Sequence, residues 1–182
     1  INISPTLVIS VAPQKPWAQS SQVLLVPWIR NEKSPLVGLK TTSYAENVYA
    51  LETAHEFGFS EAVFVNGQGL LSEGTGSNIF IVKDGQVLTP GTNSGLLEGI
   101  TRELVLEWST HPIFVKDLTE ADLFAADEVF ITSSTRDVHP VTQIAKLTEA
   151  KLVVNQKELP IGKVTSEIAK IFQQLSSERT NP

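Results

Sequence analysis

The tightest local constraint in this sequence is Asp84-Gly85, set between Asn78-Ile79-Phe80-Ile81-Val82 and Gln86-Val87-Leu88. An Asp-Gly pair accepts the positive φ angles of the turn whose twist matches two antiparallel strands. Residues 78–88 are therefore predicted to form a hairpin, closed off by Pro90-Gly91. A second turn signal, Asn66-Gly67-Gln68-Gly69, separates Ala62-Val63-Phe64-Val65 from Leu70-Leu71 and predicts another. Segments of helical period lie between and after these hairpins, so the expected class is α+β with a mixed sheet, in one domain over residues 1–182.

The helical period is clearest from Ser43 to Phe57, where Tyr44, Val48, Leu51 and Ala54 recur on one face before Gly58. Further helices are predicted from near Gly99 or Ile100 to Trp108, from Glu120 to Ala125 with Thr119 as N-cap, and from Val164 to Leu175, followed by a frayed polar tail. Additional strands are expected at Ile1-Asn2-Ile3-Ser4, Thr6 to Ala12, Gln22 to Val26, Ile113 to Val115, Glu128 to Thr132, Val138 to Ala145 and Lys151 to Val154. A chain without methionine whose first residue, Ile1, already lies in a strand-like run reads as part of a longer protein.

Charge narrows the function. A net charge of −6 and unclustered Lys and Arg argue against nucleic acid or an anionic membrane as partner. The apolar runs, such as Val23-Leu24-Leu25-Val26, are too short to span a bilayer. With no cysteine there is no disulfide framework and no thiolate metal site, which fits the cytoplasm. His55, His111 and His139 lack metal-ligand spacing, so no metal is assigned.

Three pieces carry chemistry. Lys40 follows the apolar Val37-Gly38-Leu39 and precedes the helix, whereas the other lysines sit in polar or loop settings; an amine so placed suits Schiff-base chemistry, although a lone lysine also reads as a solvated surface charge. Glu73 stands beside Gly74-Thr75-Gly76, where a carboxylate can face a pyridine nitrogen or simply occupy a turn, and Ser77 and Asn78 can bond ring substituents or brace that turn. Gly99-Ile100-Thr101 opens a helix whose free amides suit a phosphate, and Ser133-Ser134 after a strand adds hydroxyls or forms an ordinary Ser/Thr turn.

The chain resembles the fold-type IV pyridoxal phosphate enzymes, which include branched-chain and D-amino acid aminotransferases and 4-amino-4-deoxychorismate lyases. The resemblance runs through Gly38-Leu39-Lys40-Thr41-Thr42-Ser43-Tyr44-Ala45-Glu46-Asn47, Glu61-Ala62, Asn66, Gly69, Glu73-Gly74-Thr75-Gly76-Ser77-Asn78-Ile79-Phe80, Thr89-Pro90, Gly99-Ile100-Thr101-Arg102 and Thr132-Ser133-Ser134-Thr135. It implies the family's larger C-terminal pseudo-barrel domain, with residues 1–36 as the interdomain approach and the smaller N-terminal domain absent. It also implies pyridoxal 5'-phosphate on Lys40, Glu73 at the pyridine nitrogen, Leu97 behind the ring, Ile100, Thr101, Ser133 and Ser134 around the phosphate, and a cytoplasmic homodimer acting on a small molecule. Within the family, Lys40 to Asn47 and Thr132 to Val138 look most like lyase-type or aminotransferase-like members, and the favoured expectation is the lyase that yields 4-aminobenzoate and pyruvate. An aminotransferase shares every cofactor residue, and a non-catalytic binding domain on this fold is the third reading. Arg136 is expected to contact a substrate carboxylate or to form a salt bridge with a nearby acid.

Overall fold

The structure is a computed structural model that describes residues 7–13 and 15–179. Nine strands and four α-helices follow in chain order: β1 (Ser21–Arg30), α1 (Ala45–Glu56), β2 (Glu61–Asn66), β3 (Leu71–Gly74), β4 (Asn78–Lys83), β5 (Gln86–Thr89), α2 (Ile100–Trp108), β6 (Ile113–Val115), α3 (Glu120–Ala125), β7 (Glu128–Ser133), β8 (Asp137–Leu147), β9 (Val153–Glu158) and α4 (Lys163–Glu178). They form one mixed sheet in the order β3-β2-β1-β8-β7-β4-β5-β6, with β9 on β8. The predicted α+β class and pseudo-barrel are what the chain adopts. Its sheet curls until the edges meet: the Leu71 amide donates to the Leu118 carbonyl at 2.7 Å, and Leu70 bridges Thr119.

Two-sided burial drives the curl. Val23 and Leu25 of β1 point into the barrel with Ile79, Ile81, Val129 and Ile131, while the alternate residues Leu24 and Val26 lie under Ala50 and Ala54 of α1. On the far side α2 and α4 cover Phe80 and Phe130, whose rings stack 4.7 Å apart. The central strands therefore lack a solvent face, whereas β6 and β9 at the margins are partly exposed, and polar function gathers toward the strand ends and connections.

The local signals act as expected where the physics is local. Asp84 and Gly85 take φ of 50° and 75°, and β4 pairs with β5 across them. Gly69 takes 77° in the turn between β2 and β3. Thr119 caps α3 in a capping box with Asp122.

Other expectations need correction. Residues 7–12 form no strand, and Leu7, Val8, Ile9 and Val11 are at least 80% exposed; β-branched residues hold a strand only where a neighbouring edge takes their ladder bonds. The run Ile1-Asn2-Ile3-Ser4 and the last three residues lie outside the described residues. The terminal helix continues past Leu175 to Glu178, so part of the polar tail is helical. Lys151 and Leu152 form the turn before β9 rather than its first residues.

Helix α4 has no cap of its own at Gly162 and takes one from a strand: Glu128 accepts from the Val164 and Thr165 amides at 3.2 and 2.8 Å. A Cβ on Gly162 would sit 1.8 Å from that carboxyl carbon. Glu128→Ala is expected to cost about 1–2 kcal/mol in chemical denaturation through loss of the cap. Gly162→Ala should cost a similar amount by displacing the same carboxylate, and the double substitution should cost clearly less than the two single losses added.

Candidate active site

Lys40 lies in the loop between β1 and α1, and that loop is pinned along its length. The Gly67 amide donates to Glu32 at 3.0 Å, the Lys33 amide to Asn31 Oδ1 at 3.0 Å and the Leu36 amide to Ser34 Oγ at 3.2 Å. Gly95, at φ 86°, passes so close beneath that a Cβ there would meet the Glu32 Cα at 2.9 Å. After Lys40 the chain is fixed again, because the Tyr44 hydroxyl and the Asn47 amide both donate to the Thr75 carbonyl.

Glu73 reaches the same space from β3. Its carboxylate accepts from the Leu97 amide at 2.9 Å and lies 3.5 Å from Arg30 Nε. Burial pushes its pKa up, against the Leu97 hydrogen bond and the charges of Arg30 and Lys40. The first turn of α2 arrives from the opposite direction. Gly99, its N-cap, offers no side-chain acceptor, which leaves the first amides free, and a Cβ there would meet Asn78 Oδ1 at 2.3 Å. Asn78 itself donates to the Leu97 carbonyl at 2.7 Å, which ties β4 to the approach of α2.

These groups surround one cleft of about 840 Å³. Lys40, Glu73, Ser77, Asn78, Leu97, Gly99, Ile100, Thr101, Ser133 and Ser134 all line it, although they come from four separate stretches of the sequence. Arg136 does not line it. Its Nη1 donates instead to the buried Glu61 at 2.9 Å, and its guanidinium carbon lies 4.1 Å from the Trp17 ring centre.

The sequence of the amino-transferase class IV family matches residues 1–144. The chain belongs to that family. A probable branched-chain-amino-acid aminotransferase of Synechocystis is 36% identical over 126 residues, covering 66% of this chain and 41% of the relative. The branched-chain aminotransferase of Thermoproteus uzoniensis, solved with norvaline, superposes with a TM-score of 0.76 at 30% identity over 89% of this chain and 54% of that one. That of Thermobaculum terrenum, solved in its PLP form, gives 0.77 at 26% identity over 88% and 52%. The chain thus spans about half the length of the class IV aminotransferases it matches.

As a class IV aminotransferase domain, the cleft has features that suit a phosphorylated pyridine. A desolvated carboxylate in its wall gains from a cationic ring nitrogen, and an uncapped helix N-terminus gains from a phosphate. The Thr132 hydroxyl at its floor is buried without a hydrogen-bond partner. Among the described residues no group of three or more His, Asp or Glu side chains gathers in metal-binding geometry, and no helix is long and apolar enough to cross a membrane.

Sequence reasoning gave no role to two residues that build this site, although Glu61 lies within the family resemblance. Arg30 ends β1 inside the cleft, donating to Asn47 Oδ1 at 3.0 Å and lying 4.4 Å from the Phe64 ring centre. Glu61 opens β2 at 1% exposure. In both cases the available signal was a charged residue attached to an apolar strand, which cannot be left inside without a partner.

Glu73 also yields a pH prediction. Its folded pKa is raised, so its favourable contribution holds below the unfolded value near 4.5 and is lost as pH rises through the folded value. Glu73→Gln should therefore make the ligand-free protein more stable than wild type at neutral pH, with the difference shrinking to nothing in acid. Thermal melts across that range read it directly.

Proposed function

We propose that the chain carries the cofactor-binding part of a pyridoxal 5'-phosphate-dependent aminotransferase acting on amino acids with apolar side chains. The observation behind this is the convergence of Lys40, Glu73 and the free end of α2 on one cleft. When bound, the cofactor supplies an aldehyde and an electron-withdrawing ring that stabilises negative charge at the substrate α-carbon. Lys40 would hold the cofactor's aldehyde through its amine, with loss of water, and once the substrate amine displaced it the freed, uncharged amine would take the α-proton and return it. Glu73 would accept a hydrogen bond from the protonated ring nitrogen, and its burial would strengthen that pairing. The amides of Ile100 and Thr101, with the hydroxyls of Ser133 and Ser134, bind the phosphate, while Leu97 covers the ring.

The substrate class follows from what else lines the cleft. Leu36, Val37, Leu39 and Ile100 offer apolar surface to a substrate side chain. Among the described lining residues the basic side chains are Arg30 and Lys40, and Arg30 is already engaged by Asn47 and Glu73. The branched-chain aminotransferases among its relatives favour amino transfer over the lyase reading. The lyase reading draws its support from the resemblance of residues 40–47 and 132–138. The same family expectation adds a cytoplasmic homodimer, which sedimentation velocity tests.

Borohydride reduction of the cofactor-supplied protein should fix the cofactor on the peptide containing Lys40. Lys40→Ala should lose the adduct and about 10² to 10⁴ in rate, as expected when a positioned acid–base group is removed. Amino transfer from leucine or D-alanine to 2-oxoglutarate is the expected activity. Release of 4-aminobenzoate and pyruvate from aminodeoxychorismate, without amino transfer, would instead establish the lyase.

A further inference from the structure

The link between β3 and β4 crosses an open end of the barrel. These strands are consecutive in sequence, yet β3 forms one edge of the sheet order and β4 lies on the other side of β8 and β7. The three connecting residues, Thr75-Gly76-Ser77, line the cleft and gain few ladder bonds: the Thr75 amide reaches the Ala62 carbonyl at 3.0 Å and the Gly74 amide the Ser77 carbonyl at 2.7 Å. What else holds them is Glu61. Its Oε1 accepts from the Thr75 amide at 3.0 Å and the Thr75 hydroxyl at 2.5 Å, and its Oε2 accepts from Ser77 Oγ at 3.1 Å. A Cβ on Gly74 would collide with Ser77 Oγ at 2.3 Å and touch the Glu61 carboxyl carbon at 3.3 Å, so the packing closes tightly on this carboxylate.

A carboxylate 1% exposed needs a countercharge, and Arg136 supplies it. Arg136 stands at the other side of the cleft floor, in the turn between β7 and β8. Its own amide donates back to Ser133 Oγ at 3.2 Å and lies 3.3 Å from the Ser133 carbonyl, so its backbone is part of the Ser133-Ser134-Thr135 turn. Its side chain crosses to Glu61 and is covered by Trp17. One guanidinium thus joins the turn on the ring side of the cleft to the turn on the phosphate side.

We propose that Arg136 is a positioning residue: through Glu61 it sets the spacing between the Thr75–Ser77 and Ser133–Thr135 turns. Only a ligand that touches both turns depends on that spacing. Its consequence for binding rests on the pyridoxal phosphate reading above, whereas the mechanical coupling of the two turns does not. The fork of Arg reaches Glu61 while its backbone stays in the turn; a lysine keeps the charge with a single donor atom and no planar face for Trp17.

The test compares wild type with Arg136→Met and Arg136→Lys in the full chain, by affinity for pyridoxal 5'-phosphate, affinity for pyridoxal, and amide exchange of the two turns. Arg136→Met is expected to weaken pyridoxal 5'-phosphate about ten- to a hundredfold while pyridoxal changes little, as for a misplacement of part of a site. Both turns should exchange faster together, with α4 unchanged. Arg136→Lys, in which Glu61 keeps a countercharge, should show the same pattern at smaller size, and it serves as the readout if the methionine variant does not fold. Equal losses for both ligands, or faster exchange in one turn alone, would overturn the proposal. A raised KM for the amino substrate with cofactor affinity unchanged would also overturn it, by making Arg136 a direct substrate ligand. If wild type binds neither pyridoxal compound but the two turns still loosen together, the cofactor reading falls and the strut stands.

Discussion

Glu61 sits sealed from water at the start of β2, and five donors converge on its two oxygens: the amides of Ala62 and Thr75, the hydroxyls of Thr75 and Ser77, and the guanidinium of Arg136. A buried carboxylate is tolerated only when nearly all its lone pairs are used and its charge is met. That demand organises the cleft floor. Satisfying Glu61 brings Thr75 into place, and the Thr75 carbonyl then receives Tyr44 and Asn47, which follow Lys40 in the chain. A continuous set of polar contacts therefore runs from the β7–β8 turn to the end of the lysine loop.

The barrel around it explains why the chemistry gathers at one end. Strands buried on both faces leave little room for a reactive side chain along their length, so Lys40 and Ser134 lie in connections, Thr101 in the first turn of α2, and Glu73 one residue from the end of β3. The sheet supplies rigidity and the connections supply function. Glu73 shows the tension this creates. Packed into the wall, it is held by the Leu97 amide and faced by Arg30, yet burial still raises its pKa. The arrangement suits a cationic partner at this carboxylate.

Legibility in the sequence followed the distance between interacting residues. The Asp84-Gly85 turn, the Thr119-Asp122 box and the helix start at Gly99 depend on neighbours within a few positions, and each could be read directly. The lysine, the Glu73 motif and the Ser133-Ser134 turn were legible as chemical types, and their resemblance to one family tied them together. Arg30 was not legible, and Glu61, though part of the family resemblance, had no legible role. Glu61 meets its countercharge 75 residues away, and nothing in either local sequence specifies that pairing. The run at residues 7–12 failed in the opposite sense: its strand propensity is real, but propensity alone provides no neighbouring edge.

By itself, then, the sequence determined the local geometry of turns and caps, the alternation that buries both faces of the sheet, and the kinds of group available for catalysis. These depend on backbone sterics and side-chain chemistry, which act over a few residues. The curl of the sheet decided the rest. It brought four separate stretches around one cleft, turned Arg136 from that cleft toward Glu61, and placed Arg30 against Glu73, because buried charges take whichever partner the closed barrel leaves within reach.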